Sequence, residues 1–243
     1  MVENIIAFLE SAGFTKVPEQ ISFLLDPANI PFAIWETLYA PFLATIFAYA
    51  IGLPLGVLLV IGEETGIRPM PKGFMTVLNT VINLLRSIPF LILMVLVFPL
   101  ARLILGTSIG TTATIVPLTV AAAPYVARLV ESSLREMDRG VIEAAQSMGC
   151  STWQIVTKVM LPECLPSLIN GATNATITIL SYGAMAGNIG GGGLGAISLM
   201  RGHGRQQRIV LYVAVIILVI MVQTIQSIGT ALSVKADKRI THK

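Results

Sequence analysis

Apolar residues gather in five long stretches separated by short polar segments, and each stretch reaches the roughly 20 residues that a helix needs to cross a bilayer. The first runs from about Trp35 to Ile61, with Glu36 its only charge, at the outer end where Trp35 and Tyr39 are placed as interfacial anchors. Gly52, Pro54 and Gly56 are expected to kink or thin it, and Gly52 with Gly56 makes a small-xxx-small pair that permits close helix packing. The second, from about Gly73 to Leu105, is too long for one straight crossing and carries Arg86-Ser87-Ile88-Pro89, so a break near Ser87 is predicted. Arg86 is then either a snorkelling interfacial residue or an intramembrane charge that faces a pathway. The third, from about Thr111 to Val130, is rich in Ala and Thr and holds Pro117 and Pro124, a composition suited to packing against other helices rather than lipid. The fifth, from about Ile209 to Val234, is rich in Ile and Val and ends in a basic tail.

The fourth stretch, Ser167 to Gly187, is the least apolar, and its polarity is ordered. Asn170, Asn174, Thr178, Ser181 and Met185 follow steps of four, four, three and four, which put them on one helical face with Tyr182 beside them. In a membrane helix such a stripe faces the protein interior or an aqueous cavity, because unsatisfied polar groups are costly in lipid. It reads either as the lining of a substrate pathway or as hydrogen-bonding glue between helices. The glycine run that follows, Gly187 to Ile197, contains GxGxxG at Gly190, Gly192 and Gly195. It is rejected as a dinucleotide site because a membrane helix, not a strand, precedes it. Its glycines are expected to make a tight, pliable turn between close helices, part of a gate.

Ahead of the first span, Val2, Ile5, Ile6 and Leu9 stand at helical spacing, and Pro18, Pro27 and Pro31 limit any longer helix. An interfacial helix followed by a proline-bounded connector is predicted. Glu3 and Glu10 stand where a signal peptide would carry Lys or Arg, so no cleavage is expected.

Composition agrees with the pattern. The 243 residues are 54% hydrophobic and 12% charged, with mean hydropathy +0.80, which places the chain among all-α integral membrane proteins and leaves no stretch for a soluble domain. No P-loop, no metal-ligand spacing and no nucleophile–base pairing occurs, and His203 and His242 lie far from any carboxylate cluster, so no catalytic residue and no metal site is expected. The net charge of +3 is too small, in a chain this apolar, to point to nucleic acid. Cys150 and Cys164 lack a CxxC partner and read as reduced thiols.

One segment between the third and fourth stretches stays polar for longer. From Gly140 to Pro166, Val141 to Met148 reads as a short helix, Gly149 as its C-terminal breaker, Ser151 as the N-cap of a second helix and Pro162 as the end of that one. Small Ala144 and Ala145 permit close approach of another helix, and Glu143 sets a negative charge near a helix N-terminus. Glu143 to Cys150 carries no Lys or Arg, unlike a helix pair made for headgroups, so a second protein is the better partner.

Here the chain resembles the permease subunits of bacterial ABC importers, whose cytoplasmic loop carries EAA, three residues, G, nine residues, I, one residue, LP. Glu143, Ala144, Ala145, Gly149, Leu161 and Pro162 match, and Val159 stands in the Ile place. The resemblance extends over about Trp35 to Lys243 and is strongest to the methionine-uptake branch, at RSIPF, GTSIG, IVPLTV and the Tyr182, Ala184, Met185 run. It implies a type I ABC importer permease fold with five transmembrane helices, in which those six loop residues couple to an ATPase. It also implies a homodimer in the bacterial inner membrane, two copies of an ATPase subunit holding ATP and magnesium, and an external substrate-binding lipoprotein. By the same token, residues 32–243 are one permease domain with a coupling loop at about 135–166, and residues 1–31 are an external or interfacial extension. The implied cargo is methionine, L- and D-, with another small amino acid or a related solute as the alternative. A passive channel and a membrane scaffold are the competing classes, and neither has use for a docking loop.

Orientation follows from counting Lys and Arg. With the loops 62–72 and 128–166 and the C-terminus in the cytoplasm, ten of the sixteen lie inside, and the N-terminus is outside. Arg201, Arg205 and Arg208 run against the rule.

Overall fold

The computed structural model describes Ile6, Glu10, Ser11 and residues 13–237, and among these every regular element is helical. Of the helix expected at the N-terminus, Val2, Ile5 and Leu9 lie outside the described residues.

In place of the proline-bounded connector there is a helix, α1 (Val17–Leu25), with Pro18 in its first turn. Pro31 likewise sits in the first turn of α2 (Ile30–Ile61). A proline there forfeits an N–H that has no partner in any case, so both prolines start helices rather than interrupt them. α2 is 32 residues long, about 48 Å at 1.5 Å per residue, and it begins five residues before Trp35.

The predicted break near Ser87 is present. α3 (Lys72–Ser87) and α4 (Phe90–Leu105) meet at a 110° bend. Ile88, at ψ 126°, has the extended backbone that a following proline imposes, which stops α3 one residue earlier. Arg86 is exposed in the last turn of α3, where the negative end of the helix dipole favours a cation.

α5 (Thr111–Arg135) runs five residues past the expected end of the third span. Next come α6 (Arg139–Ser147), α7 (Thr152–Ile155), a π turn at Val156–Met160, α8 (Leu161–Glu163) and α9 (Leu165–Ala186). A 3-10 turn at Gly187–Ile189, α10 (Gly193–Ala196), a π segment at Ile197–His203 and α11 (Arg208–Ala236) complete the order.

Among the described residues, α2, α5 and α11 are long and apolar enough to cross a membrane, and the bent α3–α4 pair raises the number to four. The crossing expected from the fourth stretch, on α9, is not among them. The most apolar window of α5 is 56% buried within the chain, against 11% for α11. The small residues of α5 therefore do pack against other helices, while Val215, Ile216, Val219, Ile220, Ile228 and Val234 of α11 remain outward.

The helices group into two compact units. One takes the chain up to Ala44, with Met94–Leu118 and Thr178–Thr224. Its core centres on Ile30, Ala33, Leu194 and Ala214, with Phe23, Ile34 and Ile197 packed against them. The other holds Thr45–Leu93, Thr119–Ile177 and the chain from Ile225 onward. Leu59, Met75, Ile82 and Ala127 form a core there, flanked by Leu55, Met70 and Leu78.

Candidate functional site

The polar loop forms an exposed helix, turn and helix. Asp138 caps α6 by accepting from the Gly140 N–H at 2.8 Å, which starts the helix two residues before Val141. Gly149, at φ +78°, takes the left-handed conformation that ends a helix and that a Cβ would strain. Ser151 then caps α7 in a reciprocal pair: its hydroxyl accepts from the Gln154 N–H and the Gln154 side chain accepts from the Ser151 N–H.

Pro162, expected to end the second helix, does not. The π turn is closed by the Leu161 N–H donating to the Val156 carbonyl, and the helix resumes with Pro162 in the first turn of α8, where a missing N–H is tolerated.

Of the six loop residues, Glu143, Ala144 and Pro162 are exposed and Leu161 is half-buried, while Ala145 is buried at the base of α6 and fixes it in place. Two large apolar side chains that the motif does not include, Met148 and Trp153, are 75% and 74% exposed on either side of Gly149. An exposed Trp beside a Met in a polar loop is the composition of an interface anchor. The sequence signal was available: Trp153 is one of only two tryptophans, and it lies outside every apolar stretch.

Behind the loop, Glu143 borders a cavity of about 290 Å³ that Arg135, Arg139, Glu63 and Gln146 also line. This cavity adjoins an ion-pair network within the same unit. The Glu131 carboxylate accepts from Arg128 at 2.6 Å and from Arg135 at 2.8 Å, and Arg135 also reaches Glu63. The second arm of Arg128 donates to Asn79 and Asn83 of α3, both at 2.8 Å. The network therefore ties α5, α3 and the 62–72 loop together beside α6. It was not legible in the sequence, since its members are spread from Glu63 to Arg135.

On α9, Asn170, Asn174, Ser181 and Met185 are exposed and Thr178 and Tyr182 are half-buried, so the stripe lies on an open face of the helix. Its two ends differ. Asn170 borders a polar cavity of about 480 Å³ with Ser133, Glu136 and Ser167, where the Ser167 hydroxyl donates to the Glu136 carboxylate at 2.9 Å. Ser181 and Met185 border an apolar groove of about 510 Å³ with Leu199, Leu211, Val215 and Val219. All six stripe residues share a helix, and its two ends border different cavities.

The glycine run is held by a carboxylate that the span pattern had placed only at a helix end. Glu36 accepts from the Thr111 hydroxyl at 2.5 Å and from the Gly193 N–H at 2.8 Å, and Thr37 accepts from the Leu194 N–H at 2.8 Å. Gly193 is at φ +82°, and a Cβ on Gly192 would strike Thr111 and Glu36, so this turn requires glycine for both conformation and space.

Comparison with known proteins gives the family. The family model of the binding-protein-dependent transport system inner membrane component matches residues 52–242. A "Probable D-methionine transport system permease protein MetI" of Vibrio cholerae is 46% identical over 220 residues, 89% of this chain and 96% of that protein. The D-methionine transport system permease protein MetI of Escherichia coli K12 is 50% identical over 154 residues, 63% of this chain and 70% of that protein. Among solved structures, an inward-facing form of the MetNI methionine ABC transporter superposes with a TM-score of 0.84 at 44% identity, over 86% of this chain and 96% of that one. An amino acid ABC transporter superposes at TM-score 0.68 with 19% identity, over 95% of this chain and 97% of that one, a likeness of fold alone.

Proposed function

The chain belongs to the family of binding-protein-dependent transport system inner membrane components and is a permease subunit of an ABC transporter, and on that premise we propose that it imports methionine, L- and D-, in a homodimer with two separate ATPase subunits. The carrying observation is the exposed α6–Gly149–α7 loop, in which Glu143, Ala144, Met148 and Trp153 present a docking face to a partner. ATP and magnesium are held by that partner, and an external lipoprotein delivers the cargo.

In this reading the loop and the C-terminus are cytoplasmic, the N-terminus is outside, and α9 also crosses, which makes five. The α9 stripe lines the pathway. Asn170, Asn174, Thr178 and Ser181 offer hydrogen bonds to a zwitterion, while Met185 and Tyr182 offer a polarizable thioether and a ring edge to its side chain. The placement of the stripe supports this, since Asn170, Asn174, Ser181 and Met185 are left exposed by the helices of the same chain.

Uptake of labelled methionine into proteoliposomes that hold the assembled complex, with ATP inside or withheld, tests the reading. ATP-dependent uptake that falls about five-fold in Met185→Ala, an effect of ~1 kcal/mol, is expected. Uptake that persists without ATP identifies a passive channel, and transport of other amino acids but not methionine moves the cargo.

A further inference from the structure

The helix α1 lies outside the matched family region, which begins at residue 52, yet it makes a dense set of contacts with a distant part of the chain. α11 begins at Arg208, two residues after Gln206, whose φ of +58° turns the chain sharply. The first turn of any helix leaves N–H groups without intrahelical partners. At α11 they are satisfied from α1. The Gln20 side-chain oxygen accepts from the Ile209 N–H at 2.9 Å and from the Val210 N–H at 3.4 Å, and the side-chain NH2 in turn donates to the Thr15 backbone carbonyl at 2.6 Å. Gln20 is 0% exposed.

Three further contacts surround it. Gln207 donates to Glu19 at 2.9 Å, the Arg201 guanidinium stacks 3.9 Å from the centre of the Phe23 ring, and Phe14 meets Tyr212 edge to face. The oxygen of the Gln207 amide is buried without a donor among the described residues, so the cap on α11 rests on Gln20 rather than on Gln207.

We propose that α1 is a positioning helix. Through Gln20 and Phe23 it holds the Ile197–His203 segment and the first turn of α11 in the arrangement that an external partner engages. The proposal takes its orientation and its partner from the importer reading. His203, Arg205 and Arg208 are exposed on this segment, and Arg205 and Arg208 form no ion pair among the described residues, so displacing α1 alters the surface the partner meets.

The test uses the complete complex with its ATPase and external binding protein, and compares Gln20→Ala with Gln20→Glu. The Glu variant keeps an acceptor oxygen for Ile209 and Val210 and, as the neutral acid that a fully buried site favours, an O–H that donates to the Thr15 carbonyl in place of the amide. In Gln20→Ala, amide hydrogen exchange over 197–212 quickens by about five-fold, the scale of a lost cap, while exchange over 139–163 is unchanged. In the same variant, the binding-protein concentration that half-saturates ATPase stimulation rises by about five-fold with the maximal rate kept. Gln20→Glu restores both.

Unchanged exchange in Gln20→Ala overturns the proposal, as does quickened exchange with unchanged half-saturation, or a Glu variant no better than Ala. Exchange does not depend on the cargo. A complex that fails to respond to methionine therefore overturns the cargo reading and leaves the exchange result standing.

Discussion

Two glycines one turn apart allow a direct test of how α2 meets α5. A Cβ on Gly52 would lie 2.7 Å from Val126 Cγ1 and 2.8 Å from the Ala123 carbonyl oxygen. One on Gly56 would lie 2.6 Å from both the Ala127 carbonyl oxygen and Val130 Cβ. Ordinary carbon contacts are about 3.5–4.0 Å, so either alanine forces the helices apart by roughly 1 Å.

Overpacking of this kind costs about 1–3 kcal/mol, against a gain of about 1 kcal/mol for replacing glycine by alanine within a helix. The net expectation is a loss of ~1 kcal/mol at each site. Gly73 supplies the control: it is also helical, in α3, but a Cβ there meets nothing within 4 Å, so Gly73→Ala keeps the gain alone. Because one separation of the helices relieves both contacts, the double variant Gly52→Ala/Gly56→Ala loses less than the sum of the singles.

Thermal unfolding of the detergent-solubilised protein can be followed with a thiol-reactive dye at buried Cys164, in a Cys150→Ser background that removes the more accessible thiol. If Gly52→Ala and Gly56→Ala stabilise as much as Gly73→Ala does, the close approach of α2 and α5 is refuted.

Two other predictions concern the polar parts of the same unit. Glu131→Ala removes the only carboxylate paired with Arg128 among the described residues, whose side chain is 20% exposed, while Arg135 keeps Glu63, and costs about 2 kcal/mol; Glu131→Gln costs less because it still accepts hydrogen bonds. The same unfolding assay reads both, and equal losses for Ala and Gln would show that Glu131 acts through its charge alone, refuting the contribution of its hydrogen bonds. On the loop, Gly149→Ala strains a left-handed residue by about 1–2 kcal/mol, and Glu143→Lys reverses a charge on the docking face. Both should reduce co-purification of the ATPase subunit and the ratio of methionine taken up to ATP hydrolysed, and normal values of both quantities in both variants would remove the loop from coupling.

Much of the local structure was determined by the sequence itself, because its causes are local. The apolar runs marked α2, α5 and α11, Pro89 stopped α3 through the backbone of Ile88, and Ser151 with Gln154 capped α7. The spacing around Glu143 and Gly149 pointed to the permease family before any coordinates. Where prolines were read as breakers, the outcome depended on position: Pro18, Pro31 and Pro162 all fall in first turns, and a first turn is recognisable only once the helix around it is known.

Tertiary structure alone decided the contacts between residues far apart in the chain. Nothing in the sequence near Glu36 indicates that it meets Thr111 and Gly193, nor near Gln20 that it caps α11, nor near Arg128 that it reaches Asn79 and Asn83. The 110° bend between α3 and α4 belongs to the same class: the proline announces a break, but not its angle. A buried polar group must find a partner, and the requirement is written in the residue type, whereas the partner is chosen by which helices the apolar faces bring together.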